Sequence, residues 1–296
     1  MTHMLAVRFN WTIAVPLFLL TALVMTAFAA NSVLARAALL GPAIDPASFT
    51  TVRLISGAAM LALLLIARKQ TSMRDLIGGG NWHSSFWLFA YAVTLSFAYI
   101  GLDTGVGALI LFALVQATMI GWSVFKGDRP IVPEWAGLII AFSAFVWLVS
   151  PGLEAPDPFS AFLMALSGIA WGAYSLRGRG ATDPLKATAG NFILAMPMAI
   201  AVSAICFSQI NASTYGILLG IASGAITSGI GYAIWYRVLP QLSAMQGSIV
   251  QLTVPVIAGL GGLIWSGEPF TLRFVLGSVF ILGGVALAII SKTKRV

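Results

Sequence analysis

The chain has 296 residues, of which 59% are apolar and 8% charged. That leaves too few polar groups to coat a water-facing surface, so a soluble globular protein is excluded. The net charge of +7 comes from basic residues in small groups between apolar runs, a pattern that speaks for membrane topology and against a nucleic-acid-binding stripe.

Windows of about 20 residues, the helical length that crosses about 30 Å of hydrocarbon, place the spans. In chain order they fall at 11–35, 48–67, 84–102, 104–125 and 131–150, then at 159–177, 187–207, 213–237, 241–265 and 270–290. The first has a signal-peptide look, with Arg8 ahead of an apolar run that reaches Ala27-Phe28-Ala29. It is nevertheless long enough to span and nine similar runs follow, so a retained first helix is expected. The lone cysteine, Cys206, falls in an apolar run, which rules out an intrachain disulfide and leaves a structural thiol.

Ten spans put both termini on one side. Of the 16 Lys and Arg residues, all but Arg36, Arg53 and Arg273 fall on that side, and this positive-inside bias makes it the cytoplasmic one. A bacterial inner membrane is the expected location.

Internal similarity organises the spans. A shift of 140 residues superposes Gly107 on Gly247, Gly127 on Gly267 and Asp128 on Glu268. A shift of 138 brings Asp45-Pro46 onto Asp183-Pro184, and one of 143 brings Phe28, Ser32 and Arg36 onto Trp171, Ser175 and Arg179. Five spans per half is an odd number, so the second half enters the membrane the opposite way round. The expected fold is all-α, ten transmembrane helices as two inverted five-helix repeats, 1–152 and 153–296, around a central cavity, an architecture typical of alternating-access transporters.

Candidate binding residues are aromatic or neutral polar. An apolar side chain calls for aromatic walls, and Tyr91 and Tyr99 in the third span and Trp171 and Tyr174 in the sixth offer them. A zwitterion calls for amides and hydroxyls, and Asn31, Gln116, Gln246, Ser248 and Gln251 lie in apolar spans. Interhelical hydrogen bonding and interfacial aromatic belts are the structural alternatives for the same residues. Pro197 and Pro255 inside spans are candidate kinks or hinges, and Gly168, Gly172, Gly216, Gly220 and Gly224 form small-residue faces for close helix packing.

Arg36, Arg53, Asp103 and Glu134 fall near predicted span ends, where anchoring at the interface explains them. Asp103 precedes Thr104-Gly105 in a tight turn, as a helix cap or a gating group. No Lys or Arg falls at mid-membrane, which argues against phosphorylated substrates. With no acid or histidine at mid-span, facilitated movement is expected rather than obligatory proton antiport. No HExxH, Gly-x-Ser-x-Gly or Walker A pattern occurs, so no enzyme, metal or cofactor is expected. The expected partners are a small-molecule substrate and the lipid bilayer, no nucleic acid, and a monomer suffices.

The run from Thr227 to Glu268, TSGIGYAIWYRVLPQLSAMQGSIVQLTVPVIAGLGGLIWSGE, resembles the second repeat of EamA-type carriers in the drug/metabolite transporter superfamily. Ser243-Ala244, Pro255-Val256 and Gly267-Glu268 carry that resemblance. The segment Leu102–Gly121 is similar to the YddG-type aromatic amino-acid exporters. Val115 stands where Pro255 would map, and Asp128-Arg129 where Glu268-Pro269 would, so the first half departs from the pattern. The resemblance implies an inner-membrane carrier that exports amino acids, aromatic or large neutral, and similar metabolites. The alternatives are export of a nucleoside, purine or hydrophobic compound, with or without proton coupling, and a membrane scaffold that transports nothing.

Overall fold

The computed structural model describes residues 11–67, 78–127, 129–152, 155–178, 181–242, 247 and 250–293. Among the described residues the regular structure is helical, apart from one isolated bridge between Ile44 and Ala212. The first five helices are α1 Trp11–Leu39, α2 Pro46–Ala67, α3 Trp82–Ala98, α4 Thr104–Phe125 and α5 Val132–Val149. They are followed by α6 Pro158–Gly178 and α7 Pro184–Ile205. Helix α8 runs through three segments, Thr214–Ile221, a π-helical stretch Ala222–Ile230, and Gly231–Val238. Helices α9 Val254–Ser266 and α10 Leu272–Thr293 follow, which makes ten long helices among the described residues.

Eight of these helices are long and apolar enough to cross a membrane. The two shorter ones are α3, with 17 residues, and α9, with 13. The sequence runs the third span on to 102, whereas α3 stops at Ala98 and a turn occupies 99–101.

Local sequence sets the helix boundaries. Asp45-Pro46, Asp157-Pro158 and Asp183-Pro184 open α2, α6 and α7 alike. Each Asp carboxylate accepts the backbone N–H three residues on, at 2.9, 2.7 and 3.0 Å, and each Pro occupies a first-turn position that lacks a helical hydrogen bond anyway. Asn81 and Ser213 cap α3 and α8 in the same way. At the other extreme, Gly267 ends α9 in the left-handed region at φ 66°, where a Cβ would be strained.

The helices pack with a two-fold pattern. If each helix of the first five is exchanged with the one five places later, α3 against α6 becomes α8 against α1, and α4 against α6 becomes α9 against α1. Likewise α2 against α8 becomes α7 against α3, while α2–α7, α4–α9 and α5–α10 pair across the axis. Glycines permit the tightest of these approaches. A Cβ at Gly168 would strike the Leu111 carbonyl of α4, and one at Gly224 the Arg53 carbonyl of α2, as in small-residue packing within membranes.

Hydrogen bonds divide the loops between two ends of the bundle. At one end the Asp45 N–H donates to the Asn211 carbonyl at 2.7 Å, and Arg36 joins the end of α1 to the α3–α4 and α9–α10 turns. Arg273, at the start of α10, donates to the Leu148 carbonyl at the end of α5. At the opposite end the Asn81 N–H donates to Asn191 Oδ1 at 2.9 Å, and Arg177 Nε to Ser84 Oγ at 3.2 Å. The ends are called outer and inner below.

Candidate functional site

The centre of the bundle holds a polar network where hydrocarbon would be expected. Asn31 on α1 is 7% exposed. Its Oδ1 accepts from Ser223 Oγ at 2.6 Å and from Thr227 Oγ1 at 3.2 Å, both on the π-helical stretch of α8. Its Nδ2 donates to the Tyr91 hydroxyl at 3.2 Å. The same hydroxyl accepts from Arg53 Nη2 at 2.8 Å, and the Arg53 guanidinium lies 5.0 Å from the Tyr91 ring centroid. The π-helical stretch, a rare form common at functional sites, brings two hydroxyls four residues apart onto one amide oxygen.

Arg53 corrects an expectation. The sequence assigns it to the membrane interface, but it lies seven residues into α2, about 10 Å from the helix start at 1.5 Å per residue, and is 1% exposed. Its Nε and Nη1 have no hydrogen-bond partner among the described residues. The expectation that Arg53 is explained by anchoring at a span end therefore fails.

Aromatic rings enclose the network. Trp171 lies between Tyr91 at 4.8 Å and Tyr232 at 5.4 Å, and its ring stacks on that of Tyr232 at 18°. Phe28 and Phe192 meet the edges of Tyr232. Between them lies a cavity of about 20 Å³ bordered by Phe28, Asn31, Tyr91, Trp171, Thr227 and Tyr232. That is room for about one water molecule, so the centre is closed around its own side chains in this conformation.

The outer end is sealed by one arginine. Arg36 is 8% exposed, and its Nε donates to Glu268 Oε1 at 3.0 Å. Its Nη1 donates to the Tyr99 and Ile100 carbonyls, each at 2.9 Å, and its Nη2 to Asp103 Oδ1 at 3.4 Å. Asp103 occupies the N-cap position of α4 without capping it. The Thr104 N–H is instead satisfied by Glu268 Oε2 at 2.8 Å. Partial burial first, and Glu268 second, push the Asp103 carboxyl above the usual carboxylate value, with Arg36 pulling it down.

Among the described residues the inner end is filled less tightly than the centre. A cavity of about 540 Å³ is bordered by Asn81, Ser84, Tyr174, Arg177, Lys186 and Asn191, among others. A polar layer separates it from the centre. The Tyr174 hydroxyl donates to Thr188 Oγ1 at 3.4 Å, Thr188 to the Tyr236 hydroxyl at 3.2 Å, and Asn191 Nδ2 to the Tyr174 hydroxyl at 3.4 Å. A second large groove, about 490 Å³ between α4, α5 and α10, is walled by Leu114, Ile120, Trp135, Phe142 and similar residues. It lacks the convergent polar groups that mark a specific site.

Of the sequence candidates, the fold brings together Asn31, Tyr91, Trp171 and Tyr174. It does not bring Tyr99, which is fully buried beyond the end of α3 with its hydroxyl 3.5 Å from the Thr104 carbonyl. Gln116 is buried on α4, off the border of the cavity, with Nε2 unpartnered among the described residues. Gln251 bonds back to the Gly247 carbonyl of its own segment at 2.9 Å. Gln246 and Ser248 lie outside the described residues. Pro197 sits inside α7, whereas Pro255, expected inside a span, opens α9 after a turn at 252–253, where its missing N–H costs no helical bond. Sequence reasoning missed Arg53, Ser223, Thr227 and the pairing of Arg36 with Glu268. A usable signal existed for Arg53, since counting from the Asp45-Pro46 cap already puts it two turns inside the helix.

Several known proteins are similar to this chain. The model of the EamA-like transporter family matches residues 158–290. An uncharacterized protein of Pseudomonas aeruginosa is 44% identical over 277 residues, covering 94% of this chain and 96% of that protein. An uncharacterized transporter of Archaeoglobus fulgidus is 23% identical across 83% of this chain and 89% of its own length. A probable terminal-alkyne amino-acid exporter of Streptantibioticus cattleyicolor is 24% identical across 66% of this chain and 67% of its own. One solved protein structure shares the fold with a TM-score of 0.65 at 16% identity, over 92% of this chain and 97% of that one.

Proposed function

Since this chain belongs to the EamA-like transporter family, and is a membrane transporter of the drug/metabolite type rather than an enzyme, we propose that it exports amino acids with aromatic or large neutral side chains, and similar small metabolites. The observation that supports this reading most is the central cluster, where Asn31, Tyr91, Ser223 and Thr227 offer hydrogen bonds beside the rings of Phe28, Trp171 and Tyr232. An amphipathic small molecule finds there both halves of what it needs, fixed polar groups and an apolar wall. The name of the Streptantibioticus relative points the same way.

The proposed mechanism is alternating access, with residues 1–152 and 153–296 as the two rocking repeats. The outer end is closed by the Arg36 cluster, and among the described residues the inner end holds a cavity that reaches the Tyr174 layer. Substrate would enter from the inner cavity, part the Tyr174–Thr188–Tyr236 layer and displace the side chains that fill the centre. The excess of basic residues supports a cytoplasmic inner end, and with it cytoplasmic termini. Because the network consists of amides, hydroxyls and one arginine, movement down a gradient is the economical mechanism.

Counterflow in proteoliposomes containing only this protein tests the reading. Vesicles preloaded with unlabelled phenylalanine or leucine should accumulate the labelled amino acid equally with and without a pH gradient. If protein shown to be folded counterflows no amino acid, the substrate class is wrong. Uptake that requires the gradient would replace facilitation with proton coupling.

A further inference from the structure

We infer that Arg53 receives the carboxylate of the transported molecule, so that the centre selects small organic acids with an apolar or aromatic body, whether or not they carry an ammonium group. The inference rests on the centre being the transport site proposed above and names what that site recognises.

An unpaired guanidinium buried in a membrane protein is an expensive thing to keep. Taking it out of water costs several kcal/mol unless an anion and full hydrogen bonding compensate it. Arg53 is 1% exposed, yet one neutral hydroxyl and one aromatic face are its interactions among the described residues. Both ion pairs found among those residues belong to Arg36. Two of the three guanidinium nitrogens, Nε and Nη1, therefore stand ready to donate charge-assisted bonds.

The position of Arg53 ties it to the cavity. Arg53 is itself off the border of the central space, but its Nη2 bonds the hydroxyl of Tyr91, a residue that borders it together with Asn31, Thr227 and Trp171. A carboxylate entering beside Tyr91 and displacing its hydroxyl from Arg53 would meet the guanidinium, with its apolar body against Trp171, Tyr232 and Phe28. An ammonium group fares worse. Asn31 Oδ1 already accepts two hydrogen bonds, and so does the Tyr91 hydroxyl. Hydroxyl oxygens such as Ser223 Oγ and Thr227 Oγ1, and the ring faces, are what remains for a cation in the cluster, each a weaker attraction than an ion pair.

Thermal stabilisation of the purified protein in detergent by four related compounds tests this, independently of transport. The expected order is phenylalanine and 3-phenylpropionate together, then phenylalaninamide, then phenethylamine. In Arg53→Gln the two acids should lose at least about tenfold in apparent affinity, while the amide stays within about twofold. Arg53→Lys, which keeps the charge but not the planar donor array, should fall between. Wild-type protein that binds phenethylamine as tightly as phenylpropionate would overturn the inference. So would Arg53→Gln protein that loses acid and amide alike, the mark of a structural arginine. If Arg53→Gln does not fold, the wild-type series and Arg53→Lys carry the same decision, since wild-type protein with no preference for acids over the amide, or a preference left undiminished in Arg53→Lys, overturns it. Counterflow separates the two readings. Absent amino-acid counterflow with Arg53-dependent stabilisation by acids sinks amino-acid export and keeps the acid site, whereas counterflow with an acid-to-amide ratio unmoved by Arg53→Gln does the reverse.

Discussion

The two arginines buried on neighbouring helices sit in opposite circumstances. Arg36, at the outer end of α1, has every guanidinium nitrogen engaged, with Glu268, Asp103 and two backbone carbonyls as acceptors. Arg53, a short way down α2, is more deeply buried and engages one nitrogen. A side chain whose bonds are all made within the protein holds a structure together. One whose bonds are largely unmade has affinity to spare, and in a transporter that affinity is available to a substrate.

The largest effect should come from breaking the satisfied site. Arg36→Gln leaves Glu268, with 10% of its side chain exposed, as a buried carboxylate without its counter-charge, which costs about 3–5 kcal/mol when one partner of a buried pair is removed. The thermal midpoint in detergent should fall sharply. The outer end should also loosen, and a reporter can read this. With Cys206, the one native cysteine, replaced by Ser, a cysteine introduced at Ser32 lies one turn below the latch and beside the central cavity. An impermeant thiol reagent applied from the outer side should modify it at least tenfold faster in Arg36→Gln than with Arg36 intact, a margin of about 1.4 kcal/mol in gate closure. An unchanged rate would mean that the Arg36 cluster does not gate.

A smaller effect sharpens the other side of the comparison. Tyr91→Phe keeps the ring under Arg53 but removes its one hydrogen-bond acceptor and the acceptor of Asn31 Nδ2. Leaving a buried donor unsatisfied costs about 1–3 kcal/mol, so the midpoint should drop by less than in Arg36→Gln. A loss as large as that of Arg36→Gln would show that the centre is as structural as the latch.

The sequence made one class of feature plain and obscured another. Helix number and the two-fold order follow from hydropathy and internal similarity, periodic signals, whereas the helix starts at the Asp-Pro pairs lie one to three residues before the spans read from hydropathy and are explained by cap chemistry. The partners of charged residues follow from no such signal, because Arg36 and Glu268 are 232 positions apart and only the packing of α1 against α9 unites them. One clue was nevertheless in view. Arg36, Arg53 and Arg273 are the three basic residues that depart from the positive-inside pattern, and all three contact other parts of the protein, Arg53 through one nitrogen and Arg273 through the carbonyls of Trp147, Leu148 and Ser150 at the end of α5. A cation on the wrong side of the membrane is there for an internal partner rather than for lipid. In the same way Tyr99 and Tyr91 look alike in sequence, and only the end of α3 at Ala98 assigns one to the outer turn and the other to the centre.

The smallest effect belongs to Asp103, and it tests whether the Arg36 cluster is one unit or a strong pair with a weak third member. The Asp103 side chain is 45% exposed and its contact with Arg36 is 3.4 Å, so solvent screening leaves the pair worth at most about 0.5 kcal/mol. Asp103→Asn should therefore shift the midpoint little at neutral pH. Its signature should be in pH dependence. Burial and the neighbouring Glu268 hold the Asp103 carboxyl above its ordinary value, so the folded protein binds this proton more tightly than the unfolded chain. Its contribution to stability is full below the ordinary carboxylate value and declines as pH rises through the raised one. Melting Asp103→Asn beside wild-type protein across that acidic window should show this component of the slope removed and the rest unchanged. If Asp103→Asn instead destabilised the protein as much as Arg36→Gln does, Asp103 and not Glu268 would be the principal counter-charge, and the outer latch would have to be redrawn around the α3–α4 turn.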